Sequence, residues 1–171
     1  MALNVASDTL ERAARVRLLI FDVDGVLTDG RLWLGSDGSE LKAFHTRDGH
    51  GIKLLQAAGV LCAVISGRRS AAVERRMREL AIEHVYQGIE DKLAAYRSLL
   101  AKLDLSPEET GYVGDDVVDL PVMSQVGLAV AVADAFEPVR EAAHWVTRSP
   151  GGRGAAREVC ELILGARSVQ C

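Results

Sequence analysis

The sequence predicts an α/β domain with a mainly parallel central sheet, and three observations carry that expectation. Strand-like apolar runs alternate with helical patterns along the chain. The longer runs are almost continuously apolar, as strands covered on both faces are. With 171 residues, 49% of them hydrophobic, the chain has enough apolar content for one domain with a real core. A single domain over residues 1–171 is therefore expected.

Residues 1–16 (MALNVASDTLERAARV) read as a polar lead-in with helical character, and Asp8 and Glu11 fall where a signal peptide would be apolar. Strands are expected at 16–21 (VRLLIF), 60–65 (VLCAVI), 84–86 (HVY), 111–114 (GYVG) and 128–131 (LAVA). Between them, Ile52, Leu54, Leu55 and Ala58 space as one helix face, and Gly59 is a stop. Ala72, Val73, Arg76, Met77 and Leu80 fit a second helix, charged on its outer side. Leu93, Tyr96, Leu99, Leu100 and Leu103 keep the three-four spacing of a third. Ser106-Pro107 looks like a cap with proline at the first helical position. Val159, Leu162 and Ile163 give a last helix ending near Gly165. One segment breaks the alternation: 31–34 and 40–45 are strand-like around a turn at 35–39 (GSDGS), which predicts an inserted hairpin over about 31–45. Gly151-Gly152-Arg153-Gly154 reads as a flexible element within a tail and last helix at about 150–165.

A formal net charge of −4 and a pI near 5.6 exclude a phosphate-neutralising nucleic-acid face. No apolar run approaches the ~18 residues of a membrane span. Cys62, Cys160 and Cys171 are odd in number and lack metal-ligand spacing. They are expected as reduced thiols that pack as small hydrophobes, in keeping with a cytoplasmic protein.

The chemistry gathers where strands end. The first strand runs into Asp22-Val23-Asp24-Gly25, the second into Ser66-Gly67-Arg68, the fourth into Gly114-Asp115-Asp116, and Lys92 opens a helix. In an open parallel sheet ligands bind beyond the carboxyl ends of the strands, so these segments are expected to converge. Crowded carboxylates repel unless a cation neutralises them, and oxygen-only ligands favour Mg²⁺. An Asp beside such an ion can act as a nucleophile. A second Asp two residues on, on the same face of an extended segment, can protonate a leaving oxygen and later deprotonate a water. The Ser66 hydroxyl and the Lys92 ammonium supply the donors a phosphoryl group needs. Singly, each has a bland alternative: an acidic glycine turn can cap a helix or bind Ca²⁺, Ser66 can cap, and Lys92 can be a solvated charge. Their order along one sheet edge points to joint chemistry.

These four segments resemble the four motifs of the haloacid dehalogenase-like (HAD) phosphatases, over nearly the whole chain. The resemblance implies a three-layer Rossmann-like fold and a Mg²⁺-dependent phosphatase that works through an aspartyl-phosphate. It makes Asp22 the nucleophile, Asp24 the general acid/base, and Ser66 and Lys92 the phosphate holders. It makes Asp22, Asp115 and the Asp24 backbone carbonyl the metal ligands. Asp116 and Asp119 are left between supporting the metal through water and, for Asp119, capping a helix.

The gaps 27–60 and 66–92 leave no room for a cap domain, which resembles the capless branch whose sites are closed by other subunits. Segments 21–30 (FDVDGVLTDG), 42–44 (KAF), 47–52 (RDGHGI), 86–88 (YQG), 112–116 (YVGDD) and 151–155 (GGRGA) are similar to the 3-deoxy-D-manno-octulosonate 8-phosphate (KDO 8-phosphate) phosphatases of lipopolysaccharide precursor biosynthesis. His50 stands where that resemblance leads one to expect tyrosine. Relatives acting on nine-carbon sialic-acid-type 9-phosphates share most of these motifs. The resemblance also implies a homotetramer in which the 151–154 stretch reaches a neighbouring site. A sugar acid needs a cation for its carboxylate. Arg68 is the first candidate, followed by Arg47 and Arg153, for which a surface or interface ion pair is an equal reading. Arg75, Arg76 and Arg78 read as a solvated helix face, His45, His84 and His144 as packing or surface residues, and Trp145 as a core or tail anchor. Dehalogenation has no need of Asp24, a mutase must exclude water, and a catalytically silent oligomerisation domain has no need of the full acidic set.

Overall fold

A computed structural model describes residues 5–168. The chain enters through α1 (Ser7–Arg15) and lays down β1 (Leu18–Phe21), every residue of which is buried. A two-stranded antiparallel hairpin follows, β2 (Trp33–Leu34) with β3 (Glu40–Leu41). Next come α2 (Thr46–Ala57), β4 (Leu61–Ser66), α3 (Ala71–Glu79), β5 (His84–Gln87) and α4 (Lys92–Leu103). The chain ends with β6 (Thr110–Gly114), α5 (Leu120–Met123), β7 (Leu128–Ala131), α6 (Glu137–Ala142), β8 (Trp145–Val146) and α7 (Ala155–Ser168).

Six strands pair in the order β5-β4-β1-β6-β7-β8, each neighbour parallel. Helices cover the sheet on both faces: α7 packs on α1 and α2, and α4 packs on α5. That double cover is why Leu18, Ile20, Phe21, Val64, Tyr112 and Val113 can all be fully buried. The chain winds outward from β1 to β5, then crosses back to start again at β6. The switch therefore lies between β1 and β6, and a crevice opens beyond their carboxyl ends. Among the described residues no helix is long and apolar enough to cross a membrane.

Several elements differ from the sequence expectation. The sixth strand, β8, and the helices α5 and α6 are too short to show a period. The hairpin strands are only two residues each, not the longer runs expected within 31–45. Ser106 and Glu109 do form a capping box, but it closes a single 3₁₀ turn, Pro107–Glu109, before β6 begins. Helix α2 starts at Thr46, a turn and a half earlier than the apolar spacing indicates. Gly49 and Gly51 cost such a helix about 1 kcal/mol each. They are placed for packing: a side chain at 49 would collide with the Arg76 guanidinium, and one at 51 with Arg157 and Cys160. Cys62 and Cys160 are buried free thiols, with burial pushing Cys62 up to about 12; Cys171 lies outside the described residues.

Candidate active site

Asp22 follows the last residue of β1, and its backbone N–H continues the ladder by donating to Val113 O at 3.0 Å. Its carboxylate, almost fully buried, accepts from Val23 N–H at 2.7 Å and lies 3.0 Å from the Lys92 ammonium. The chain then turns sharply. Leu27 and Thr28 both donate to Val23 O, and the buried Thr28 hydroxyl accepts from Gly25 and Gly30 N–H. Asp24 therefore sits in this turn. Strand alternation does not set it on the Asp22 face, because β1 has already ended at Phe21. The turn still brings both carboxylates to one cavity of about 470 Å³, together with Ser66, Gly67, Arg68, Lys92, Asp115 and Asp116.

Asp119 organises the floor of this cavity. It is fully buried and accepts from Lys92 (2.8 Å), the Tyr112 hydroxyl (2.7 Å), Asp115 N–H (3.0 Å) and Asp116 N–H (3.3 Å). Both of its oxygens are thereby engaged with protein donors. Asp119 thus braces Lys92 and the 115–116 turn, besides closing the capping box of the 117–119 turn. Gly114 is required beside it, since a Cβ there would press on the Asp119 side chain. Asp116, exposed, caps the Val117–Asp119 turn through Val117 N–H at 2.7 Å.

Electrostatics mark where a cation is needed. Burial, with Asp22, Asp119 and Asp116 nearby, pushes Asp115 up to about 8. Burial and the Asp119 charge also raise Asp22, against the pull of Lys92. Burial works against the Lys92 ammonium, but the Asp22 and Asp119 carboxylates outweigh it and raise its pKa. One Asp115 oxygen is buried without any hydrogen-bond donor. Gly25, at φ +90°, packs against that carboxylate, where a Cβ would overlap it. Asp22, Asp115 and Asp119 can each point an oxygen to within 4.8 Å of the others. With Asp119 saturated by donors, Asp22 and Asp115 are the side chains left to take a cation. A hard, oxygen-ligated ion such as Mg²⁺ fits that donor set.

Of the expected substrate cations, only Arg68 lines this cavity, with Nε 3.7 Å from Asp24 and Nη2 2.9 Å from Glu40. Arg153 faces a separate groove of about 390 Å³ with Asp29, Phe44 and His45. Arg47 is exposed in the first turn of α2 and lines neither opening. The 151–154 stretch is not a free arm. Gly151 N–H donates to Asp134 at 2.8 Å, Gly152 N–H to Val26 O at 2.8 Å, and Gly154 N–H to Asp48 at 3.2 Å. It is docked against the Asp22–Thr28 turn of its own chain. His45 caps α2 and His144 accepts from Ala129 N–H, so both are structural. Sequence reasoning missed the Asp119 hub, whose signal was its position four residues after Asp115. It also gave no role to Lys42, whose ammonium pairs with Asp24.

Comparison with known proteins places this geometry. A haloacid dehalogenase-like hydrolase family model matches residues 84–159. The KDO 8-phosphate phosphatase of Yersinia pestis is 55% identical over 95% of this chain and 87% of its own length; that of Escherichia coli K12 is 51% identical over the same shares. The solved Yersinia pestis structure covers 96% of this chain and 89% of that one, with a TM-score of 0.95. A Moraxella catarrhalis KDO 8-phosphate phosphatase, solved with a magnesium ion, a phosphate ion and KDO, is 41% identical, with a TM-score of 0.93 over 94% of this chain and 92% of that one. The chain belongs to the haloacid dehalogenase-like family of KDO 8-phosphate phosphatases.

Proposed function

We infer that the protein is a Mg²⁺-dependent phosphatase that hydrolyses KDO 8-phosphate to the free sugar acid and phosphate. The observation that carries this reading is the cluster at the sheet switch: buried Asp22 beside the Lys92 ammonium, with the half-buried Asp115 carboxylate, one oxygen of which lacks a donor. The relatives named above support the substrate and the ion.

In this reading Asp22 and Asp115, with the Asp24 backbone carbonyl, hold Mg²⁺, which when bound neutralises charge on the clustered oxygens. Lys92 and the Ser66 hydroxyl hold the phosphoryl oxygens. An Asp22 oxygen attacks phosphorus, the P–O ester bond breaks, and Asp24 gives its proton to the departing sugar oxygen. Asp24 then takes a proton from water, whose oxygen attacks the aspartyl-phosphate and releases inorganic phosphate and free Asp22. Lys92, locked by Asp119, meets the developing charge without having to reorganise. Arg68, at the mouth, is the cation for the sugar carboxylate; Arg47 and Arg153 do not line this cavity.

The hairpin supports a homotetramer with shared sites. Trp33, Leu34 and Leu41 are 58%, 68% and 70% exposed, a costly apolar surface for a flap only four paired residues wide. Its unpaired edges invite closure around a symmetry axis. Phosphate release from a panel of sugar phosphates, with Mg²⁺ and with chelator, tests the function. KDO 8-phosphate should exceed simple hexose phosphates in kcat/KM, and chelation should stop the reaction. Preference for a nine-carbon 9-phosphate would move the substrate to the sialic-acid relatives.

A further inference from the structure

We propose that Lys42, carried by the hairpin, is a positioning residue that fixes the Asp24 carboxylate for protonation of the leaving oxygen. The proposal deepens the phosphatase reading and rests on Asp24 being its proton carrier.

Most of the hairpin faces outward, yet Glu40 and Lys42 turn in toward the cavity mouth. The Lys42 side chain is 1% exposed. An ammonium so withdrawn from water costs several kcal/mol unless it is paired. Its partners are both carboxylates: Asp24 Oδ1, in close contact, and Glu40 Oε1 at 3.4 Å. Glu40 in turn holds Arg68 at 2.9 Å, and the Arg68 Nε lies 3.7 Å from Asp24 Oδ2. Four charges of alternating sign thus close a ring, Asp24–Lys42–Glu40–Arg68. Each Asp24 oxygen faces one cation.

This ring answers a need of the turn. Asp24 follows the end of β1 and precedes Gly25, so no strand ladder or helix fixes its side chain. A carboxylate on such a turn, partly open to solvent, has several rotamers available. Among the described residues, the Lys42 ammonium forms salt bridges with Asp24 and Glu40 and with no other carboxylate. Its direct effect on the reaction therefore passes through Asp24, and its indirect one through Glu40 to Arg68. Misplacing a proton donor by about 1 Å can cost on the order of 10²-fold in rate.

The test uses leaving groups. kcat/KM reports the steps up to phosphoryl transfer, where a strongly basic alkoxide needs the Asp24 proton and p-nitrophenolate does not. Lys42→Met should lower kcat/KM on KDO 8-phosphate, and equally on a carboxylate-free alkyl phosphate, by about tenfold or more while lowering it on p-nitrophenyl phosphate by less than about threefold. Lys42→Gln, uncharged, polar and one bond shorter, should show the same split if the methionine variant does not fold. Glu40→Gln, which loosens Arg68 but leaves Lys42 on Asp24, should weaken use of KDO 8-phosphate through Arg68 yet leave the ratio of a carboxylate-free alkyl phosphate to p-nitrophenyl phosphate near that of the parent. Asp24→Asn is the reference for the underlying reading and should show the largest split. If Asp24→Asn loses both substrates equally, it is the acid assignment that fails. If Asp24→Asn splits them and neither Lys42 variant does, Lys42 is only a clip for the hairpin and the proposal is overturned.

Discussion

At the residue scale, the site works by placing more negative charge than the protein can tolerate unaided. Asp22, Asp115 and Asp119 crowd one end of the sheet, and a single ammonium, Lys92, reaches two of them. In the metal-free protein Asp115 keeps its proton up to about pH 8, whereas in the unfolded chain it ionises in the ordinary aspartate range. The native state then binds more protons than the unfolded one across that window, so metal-free stability should fall as pH rises from about 4 to about 8. Mg²⁺ should raise Tm more at the alkaline end, and Asp115→Asn should flatten the metal-free pH dependence while abolishing the Mg²⁺ effect. Thermal melts across pH, with chelator and with Mg²⁺, check both. Asp119→Ala leaves Lys92, Tyr112 and two backbone N–H groups without their acceptor, which should cost about 3 kcal/mol or more in denaturant unfolding. The residues at strand ends were legible because strand periodicity stops there and acidic glycine turns begin. Asp119 was legible only as an ambiguous acid, since its role depends on Tyr112 and Lys92, which sequence spacing does not bring together.

At the element scale, two glycine segments interlock. Gly151 rests on the Gly25 carbonyl and Gly152 on the Thr28–Asp29 backbone, each too close for any Cβ. The tail stretch thus buttresses the turn that presents Asp22 and Asp24, and Asp48 anchors its far end by accepting from Gly154 and Arg157 N–H at the start of α7. Gly151→Ala should therefore displace the Asp24 turn and lower kcat by roughly tenfold or more, with a modest loss in Tm of the kind overpacking brings. Steady-state kinetics beside a thermal melt separate the two. The glycine run itself reads from sequence as flexibility; the structure uses it for close approach, and composition alone does not distinguish those uses. The start of α2 was hidden for the same reason, as Gly49 and Gly51 look like loop residues until Arg76 and Arg157 are packed against them.

At the scale of the whole molecule, the sheet order places β1 and β6 side by side and gathers the four motifs at one crevice. That much was readable from alternating apolar runs, because each long strand is buried on both faces. Assembly of copies is not written in periodicity; the proposed tetramer rests on the exposed hairpin. If the proposed tetramer forms, Leu34→Asp together with Leu41→Asp should shift sedimentation toward smaller species and weaken turnover, while a fully active monomer of the parent chain would refute shared sites. In the proposed mechanism the chemistry turns on Asp22. During turnover of KDO 8-phosphate with Mg²⁺, acid-quenched mass spectrometry should find one phosphoryl group on the peptide bearing Asp22. Asp22→Asn should lose that adduct and roughly 10³-fold or more of the rate while still folding. Phosphate released at the parent rate by Asp22→Asn, or an adduct on another residue, would contradict the assignment of Asp22 as the nucleophile.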